Sequence, residues 1–296
     1  MSNHRQGANL VLTILIAVPL MLGSMIIQQS ANGQEFRIES TVYTADSNLP
    51  VSQNTTLFSE GLVYDFQLSN DAQPKPLEIV IFDTRSRTIV LLDPNRKIRL
   101  EMPDLQLLKI VDGVRREMVQ DKRSSFLVED TFHEDVDMST NWVTLTSPQI
   151  VYRFNGSQPK DVSIIPLYND FLDNFTMLIA SDPTRIPPFA RMKLNQSIKR
   201  LGWIPTEVQI SVKQNSLFRH AFNATSKHVI IHHLSDEART RIATAKQQWM
   251  QFKPVELGEY RGLRKERLLS QPIISTASYE EAINPISQDP ASAKQR

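Results

Sequence analysis

From residue 36 the apolar positions recur every second residue, the period of a strand with one face against a core. In FRIESTVYT, Phe36, Ile38 and Val42 share one face while Arg37 and Glu39 take the other. LVYDFQL repeats the pattern, with Leu62, Tyr64, Phe66 and Leu68 opposite Asp65 and Gln67. The stretch LEIVIFDTRSRTIVLLDPNRKIRLEMP predicts three strands separated by the polar turns DTRSR and DPNRK. Its first two, EIVIF and TIVLL, are apolar on both faces, which predicts cover on both sides. KIRLEM sets Ile98, Leu100 and Met102 against Lys97, Arg99 and Glu101, which predicts one wet face.

The period then lengthens. Leu107, Val111, Val114 and Met118 form a helical stripe that Asp104 is placed to cap. SSFLVED predicts a further strand, TFHEDVDMSTN a polar loop, and WVTLTSPQIVYRF two short strands about Pro148. Two helices are expected next: LYNDFLDNFTMLIAS, striped by Leu167, Phe171, Phe175 and Leu178, and PPFARMKLNQSIKRLG, which opens on proline and stops at Gly202. WIPTEVQISV reads as a strand, and SLFRHAFNATSKHVIIHHLS as a hairpin, two short β-runs about the polar turn ATSK. Ser235 caps a last helix with Ala238, Ile242, Ala245, Trp249 and Phe252 on its stripe. Periodicity ends near Pro254. Residues 257–296, polar and rich in Ser, Pro and Gln, read as a disordered tail.

Residues 1–33 read as an export signal. MSNHRQ carries Arg5 and no acid, an apolar run extends from Leu10 to Ile27, and Ala31 and Gly33 suit cleavage after Gly33. The alternative is an uncleaved inner-membrane anchor through residues 10–27. The chain contains no cysteine, so the fold rests on its core rather than on disulfides, and thiolate chemistry is excluded. Export without cysteine points to a bacterial periplasmic or secreted protein. Lys+Arg 33 against Asp+Glu 32 leaves no field to attract nucleic acid.

Candidate chemistry is sparse. KHVIIHHLSDE places three histidines within six residues, but Val229, Ile230 and Ile231 favour a strand, on which His228 and His232 lie about 13 Å apart. If ATSK is a turn, His220 and His233 become diagonal neighbours about 7–8 Å apart, two metal ligands without a third. The acids and imidazole Glu129, Asp130, His133, Glu134, Asp135 and Asp137 cluster without the spacing or glycine of a calcium loop, and read as a solvated loop. No G-x-S-x-G, P-loop or dinucleotide fingerprint occurs, which argues against the commonest hydrolase, nucleotide and redox signatures. No catalytic residue and no cofactor is assigned.

LFSEGLVYDFQL, the strand block from Leu77 to Pro103 and the helix from Asp104 together resemble the LolA/LolB family of periplasmic lipoprotein carriers, over about residues 36–120. The resemblance implies a curved antiparallel sheet, a half-barrel, wrapped on helices and holding acyl chains. The expected fold is therefore α+β: one domain, 34–256, built on a curved antiparallel sheet packed by about four helices. The expected function is that of a non-enzymatic cell-envelope binding protein, with a lipid, a lipoprotein or an envelope protein as partner. It meets the membrane only through the N-terminal segment if that is uncleaved. Two alternatives stand beside it: a secreted metal- or carboxylate-dependent hydrolase using His220, His233 or the acids of 129–137, and a structural envelope protein that recruits partners through its tail.

Overall fold

The computed structural model describes residues 35–45, 47–71, 73–122, 124–129, 131–182, 185–214 and 220–262. The expected export segment and residues 263–296 of the tail lie outside them. Among the described residues no helix is long and apolar enough to cross a membrane.

The chain first builds a meander: β1 (Phe36–Thr44), β2 (Ser52–Ser59), β3 (Leu62–Leu68), β4 (Pro76–Asp83), β5 (Thr88–Asp93) and β6 (Ile98–Pro103). Helix α1 (Asp104–Gln120) and the single turn α2 (Phe126–Glu129) follow. A second meander, β7 (His133–Asp137), β8 (Trp142–Thr146) and β9 (Ile150–Ser157), is interrupted by α3 (Ile165–Leu178) and α4 (Phe189–Leu201). It resumes with β10 (Ile204–Val212) and β11 (Phe222–Ile231). The described residues close with α5 (Asp236–Gln251), β12 (Lys253–Pro254) and α6 (Leu257–Tyr260). All twelve strands join one sheet in the order β12-β6-β5-β4-β3-β2-β1-β11-β10-β9-β8-β7. Every pairing is antiparallel except β12 with β6. The architecture is a large, open, curved α+β sheet with helices on it. The two meanders meet where β1 pairs with β11, Ile38 opposite Ile230 and Ser40 opposite His228.

Turn chemistry sets the registers. Glu60 and Gly61 both have positive φ and make the two-residue turn that suits strand twist. Three longer turns repeat one device. Asp83, Asp93 and Asp137 each accept backbone N–H bonds from the second and third residues beyond (Arg85 and Ser86, Asn95 and Arg96, Ser139 and Thr140). The fourth residue beyond, Arg87, Lys97 or Asn141, then takes the left-handed conformation that returns the chain.

Alternation divides the sheet into two faces. Phe36, Ile38, Phe58, Val63, Val80, Phe82, Ile89, Leu91, Leu100, Met102, Val143 and Phe154 point to an inner face and bury against Leu107 of α1, Tyr168 and Leu172 of α3, and Leu194 and Ile198 of α4. Leu57, Tyr64, Phe66, Ile79, Ile81, Val90 and Leu92 point to the outer face, under Ala238, Ile242 and Ala245 of α5. β4 and β5 are buried on both faces and β6 is wet on one, as their patterns predict. Ser235 caps α5 by accepting from the Ala238 N–H, and Gly202 closes α4 at φ 63°.

Several expectations are corrected. SSFLVED is no strand: Leu127 and Val128 donate to the carbonyls of Ser124 and Ser125, making a turn of helix that buries Leu127 beside α1 and α4. The expected loop at 131–141 contains β7, whose one inward apolar residue, Val136, is too few to show a period. Asp104 does not cap α1. It is that helix's first residue, ion-paired to Arg87, and Pro103 holds the cap position without a side-chain bond. ATSK is no turn, since β11 runs unbroken through it. The tail does not leave the domain at 256, for Tyr260 is buried in the inner core and Arg261 pairs with Glu78.

Candidate functional site

The loss of the hairpin separates the histidines. His220 precedes β11, and His232 and His233 follow it, all three exposed. Of these four only His228 lies within a strand, and its ring sits on the inner face. Among the described residues no three His, Asp or Glu side chains gather where one metal ion could be held. The acids of 129–137 are also divided. The pleat of β7 sends His133, Asp135 and Asp137 to one face and Glu134 to the other, where it pairs with Arg200 at 2.6 Å. Asp130 lies outside the described residues.

The inner face carries two features that the sequence pattern did not single out. The first is an aromatic row. Phe36 on β1 and Phe58 on β2 are opposite each other and stack at 3.9 Å. Phe171 of α3 meets Phe58 edge-on at 5.6 Å, and Phe175 lies 5.3 Å beyond. The two sheet rings are fully buried, whereas Phe171 and Phe175 are half-buried.

The second is polar and crosses four strands. Asp65 on β3, 3% exposed, accepts from Thr56 Oγ1 at 2.6 Å and from Asn54 Nδ2 at 2.8 Å, both on β2. Asn54 stands opposite Ser40 of β1. Ser40 Oγ shares a 2.8 Å hydrogen bond with His228 Nδ1 on β11, and Ser226 Oγ a 3.1 Å bond with Nε2. Burial pushes the Asp65 carboxyl up to about 6; bonds from Thr56 and Asn54 and the Arg185 charge oppose this, and Glu78 adds to it. Burial, with the Arg191 charge, pushes His228 down to about 4. Both shifts favour the uncharged form, as an apolar surround requires, although at neutral pH the histidine is neutral and the carboxyl is still largely ionised.

The row does not make a nucleophilic relay. Ser40 and His228 are within bonding distance, but three inter-strand steps, about 14 Å at the usual spacing, separate His228 from Asp65. The arrangement can donate and accept hydrogen bonds along one rung and present rings along the next. On the outer face the α5 start borders a cleft of about 260 Å³ whose charges already pair, Arg37 with Glu39 and Arg241 with Glu237. Comparison of the chain with protein-family models and with curated proteins yields no match.

Asp65 was legible only as a polar-face residue, and the signal that could have shown its burial is Val63 beside it on that same face.

Proposed function

We propose that the protein is a non-enzymatic binding protein of the bacterial cell envelope that holds an apolar chain between the inner face of its sheet and α3. In this it works as a carrier of the LolA/LolB type that residues 36–120 resemble, its sheet acting as a half-barrel. Residues 1–33 export it. The observation that carries the reading is the aromatic row, which runs from rings buried in the sheet to the half-buried Phe171 and Phe175 on the covering helix. Helices now occupy the inner face, so a ligand enters as α3 and α4 lift together. Asn195 of α4 donates to Thr176 Oγ1 and the Leu172 carbonyl of α3, and Lys199 pairs with Asp173, whereas Phe171 meets the sheet through apolar contact alone. Apolar contacts are non-directional and re-form after sliding, and the ion pair of Arg200 on α4 with Glu134 on β7 is an exposed one of little strength, so this is the interface suited to opening.

The test is lipid occupancy. The full chain, purified from a bacterial periplasm, should release acyl lipid on extraction and mass spectrometry, and Phe171→Asp should empty it while the far-UV spectrum is kept. Folded protein that neither carries acyl lipid nor takes up a fluorescent fatty acid would refute the proposal.

A further inference from the structure

We infer that residues 252–262 form a strap that fastens the helical cover to the sheet and, by its release, sets how fast a ligand enters and leaves the inner face; this rests on the carrier reading above. The segment changes sides of the sheet. α5 lies on the outer face, yet Tyr260, a short way beyond its end, is 2% exposed within the inner-face core. The chain gets there around the sheet's edge. β12 runs beside β6, with the Lys253 N–H donating to the Lys97 carbonyl at 3.1 Å and the Val255 N–H to the Arg99 carbonyl at 2.8 Å. Arg96, in the turn between β5 and β6, then receives it. The Arg96 guanidinium donates to the Glu259 and Tyr260 carbonyls and lies 5.5 Å over the Tyr260 ring.

The far end of the strap grips both layers. Arg261 Nη1 donates to Glu78 Oε1 at 2.9 Å, and Nη2 to Ser181 Oγ at 3.3 Å. Glu78 stands on β4, on the same face as Val80, and so belongs to the sheet. Ser181 ends the 3-10 turn Ile179–Ser181 that continues α3, and so belongs to the cover. Its buried hydroxyl works in both directions, donating to the Leu178 carbonyl at 2.7 Å and accepting from Arg261. One guanidinium therefore spans the two layers that part when a ligand enters, where Phe171 supplies only apolar contact. The fastening is also built to let go. β12 is two residues long, α6 is a single turn with no side-chain cap, and Gly262 follows at φ 64°. The Arg261 Nε is buried without an acceptor among the described residues, an unmet donor that favours the undone state. A segment with so few backbone bonds opens well before the body of the protein unfolds.

The experiment uses the full chain and two variants. Ser181→Ala removes the tie to the cover and keeps the one to Glu78; Arg261→Met removes both and leaves α3 itself untouched. Backbone hydrogen exchange reads the cover directly. Amides of α3 should exchange about five-fold faster in Ser181→Ala and about ten-fold or more faster in Arg261→Met, with those of α5 unchanged. Stopped-flow mixing with a fluorescent hexadecanoic acid reads the ligand. Uptake and release should both quicken by about those factors while affinity stays constant, because a strap fastened over the empty and the loaded site alike changes only the barrier. Unchanged exchange at α3 in Arg261→Met overturns the strap, and so does exchange that quickens equally in α3 and α5, which reports general destabilisation. A weaker affinity with an unaltered uptake rate makes Arg261 a ligand contact and likewise overturns it. In each of these cases the carrier reading stands as long as the probe binds. Faster exchange at α3 in a protein that never binds the probe upholds the fastening and overturns the carrier reading.

Discussion

Substituting Asp65→Asn keeps the shape of a buried side chain and deletes its ability to ionise. The carboxyl rises from an ordinary 3.8 to about 6 because burial penalises its charge more than Thr56 and Asn54 relieve it. A raised folded-state value means that the group's contribution is fully present below about 4 and is lost as pH climbs through about 6. At neutral pH the ionised carboxylate therefore destabilises the fold by roughly 3 kcal/mol. The amide removes that penalty. It also faces the Asn54 Nδ2 donor with a second donor, so Asn54 must turn over and Ser52 must readjust, at about 1 kcal/mol. The variant should thus be about 2 kcal/mol more stable than the unmodified protein at pH 7.5 and about 1 kcal/mol less stable at pH 4. His228 works in the opposite sense. Its value falls from 6.5 to about 4, so its contribution is present above about 6.5 and is lost as pH falls toward 4. In the unmodified protein the two slopes nearly cancel, and in Asp65→Asn the histidine slope stands alone, making the variant acid-labile. Urea unfolding at four pH values between 4.5 and 7.5 measures this. Glu35, Asp83 and Asp93, whose carboxyls are held low, act in a more acidic window and drop out of the difference between variants. A difference that stays constant across that range would refute the reasoning.

Gly156→Ala should destabilise by about 2 kcal/mol, because a Cβ there would stand 2.8 Å from the Ile204 carbonyl oxygen and 3.0 Å from Pro205 Cα, both backbone atoms at the β9–β10 irregularity; a melting temperature equal to that of the unmodified protein counts against it. Ser235→Ala removes the cap of α5 and should lower unfolding free energy by about 1 kcal/mol, with Ser235→Asp restoring it in the same urea titration. Asp93→Ala leaves the Asn95 and Arg96 amides without their acceptor and releases Arg96, which also donates to the Tyr260 carbonyl; a loss of about 1–2 kcal/mol and faster hydrogen exchange at residues 257–261 are expected.

The strands from β3 to β6 and the four long helices were legible because each presents several apolar residues at one period. β2 escaped because SQNTT, its first half, lies on the polar rung and shows no alternation. β7 escaped because it is an edge strand, where charge on the backbone's open side guards against pairing with other chains and erases the apolar signal. The centre of β11 was misread for a related reason: Thr225 and Ser226 are polar not because the chain turns there but because they sit where the seam between the two meanders is only half covered. The site follows the same logic. Ser40 and His228 come from strands far apart in sequence, and only the β1–β11 pairing makes them neighbours, while Asp65 joins the same row through β2.

That pairing has a consequence for synthesis. Ser40 and its partner His228 are 188 residues apart, so at roughly 5–20 residues per second a ribosome takes about 10–40 s to deliver the second after the first. During that interval the N-terminal meander can form, but its β1 border is an open template with no neighbour. A nascent chain in that state should be a substrate for holdase chaperones, and truncations ending before residue 222 should aggregate even though they contain every residue of the first meander.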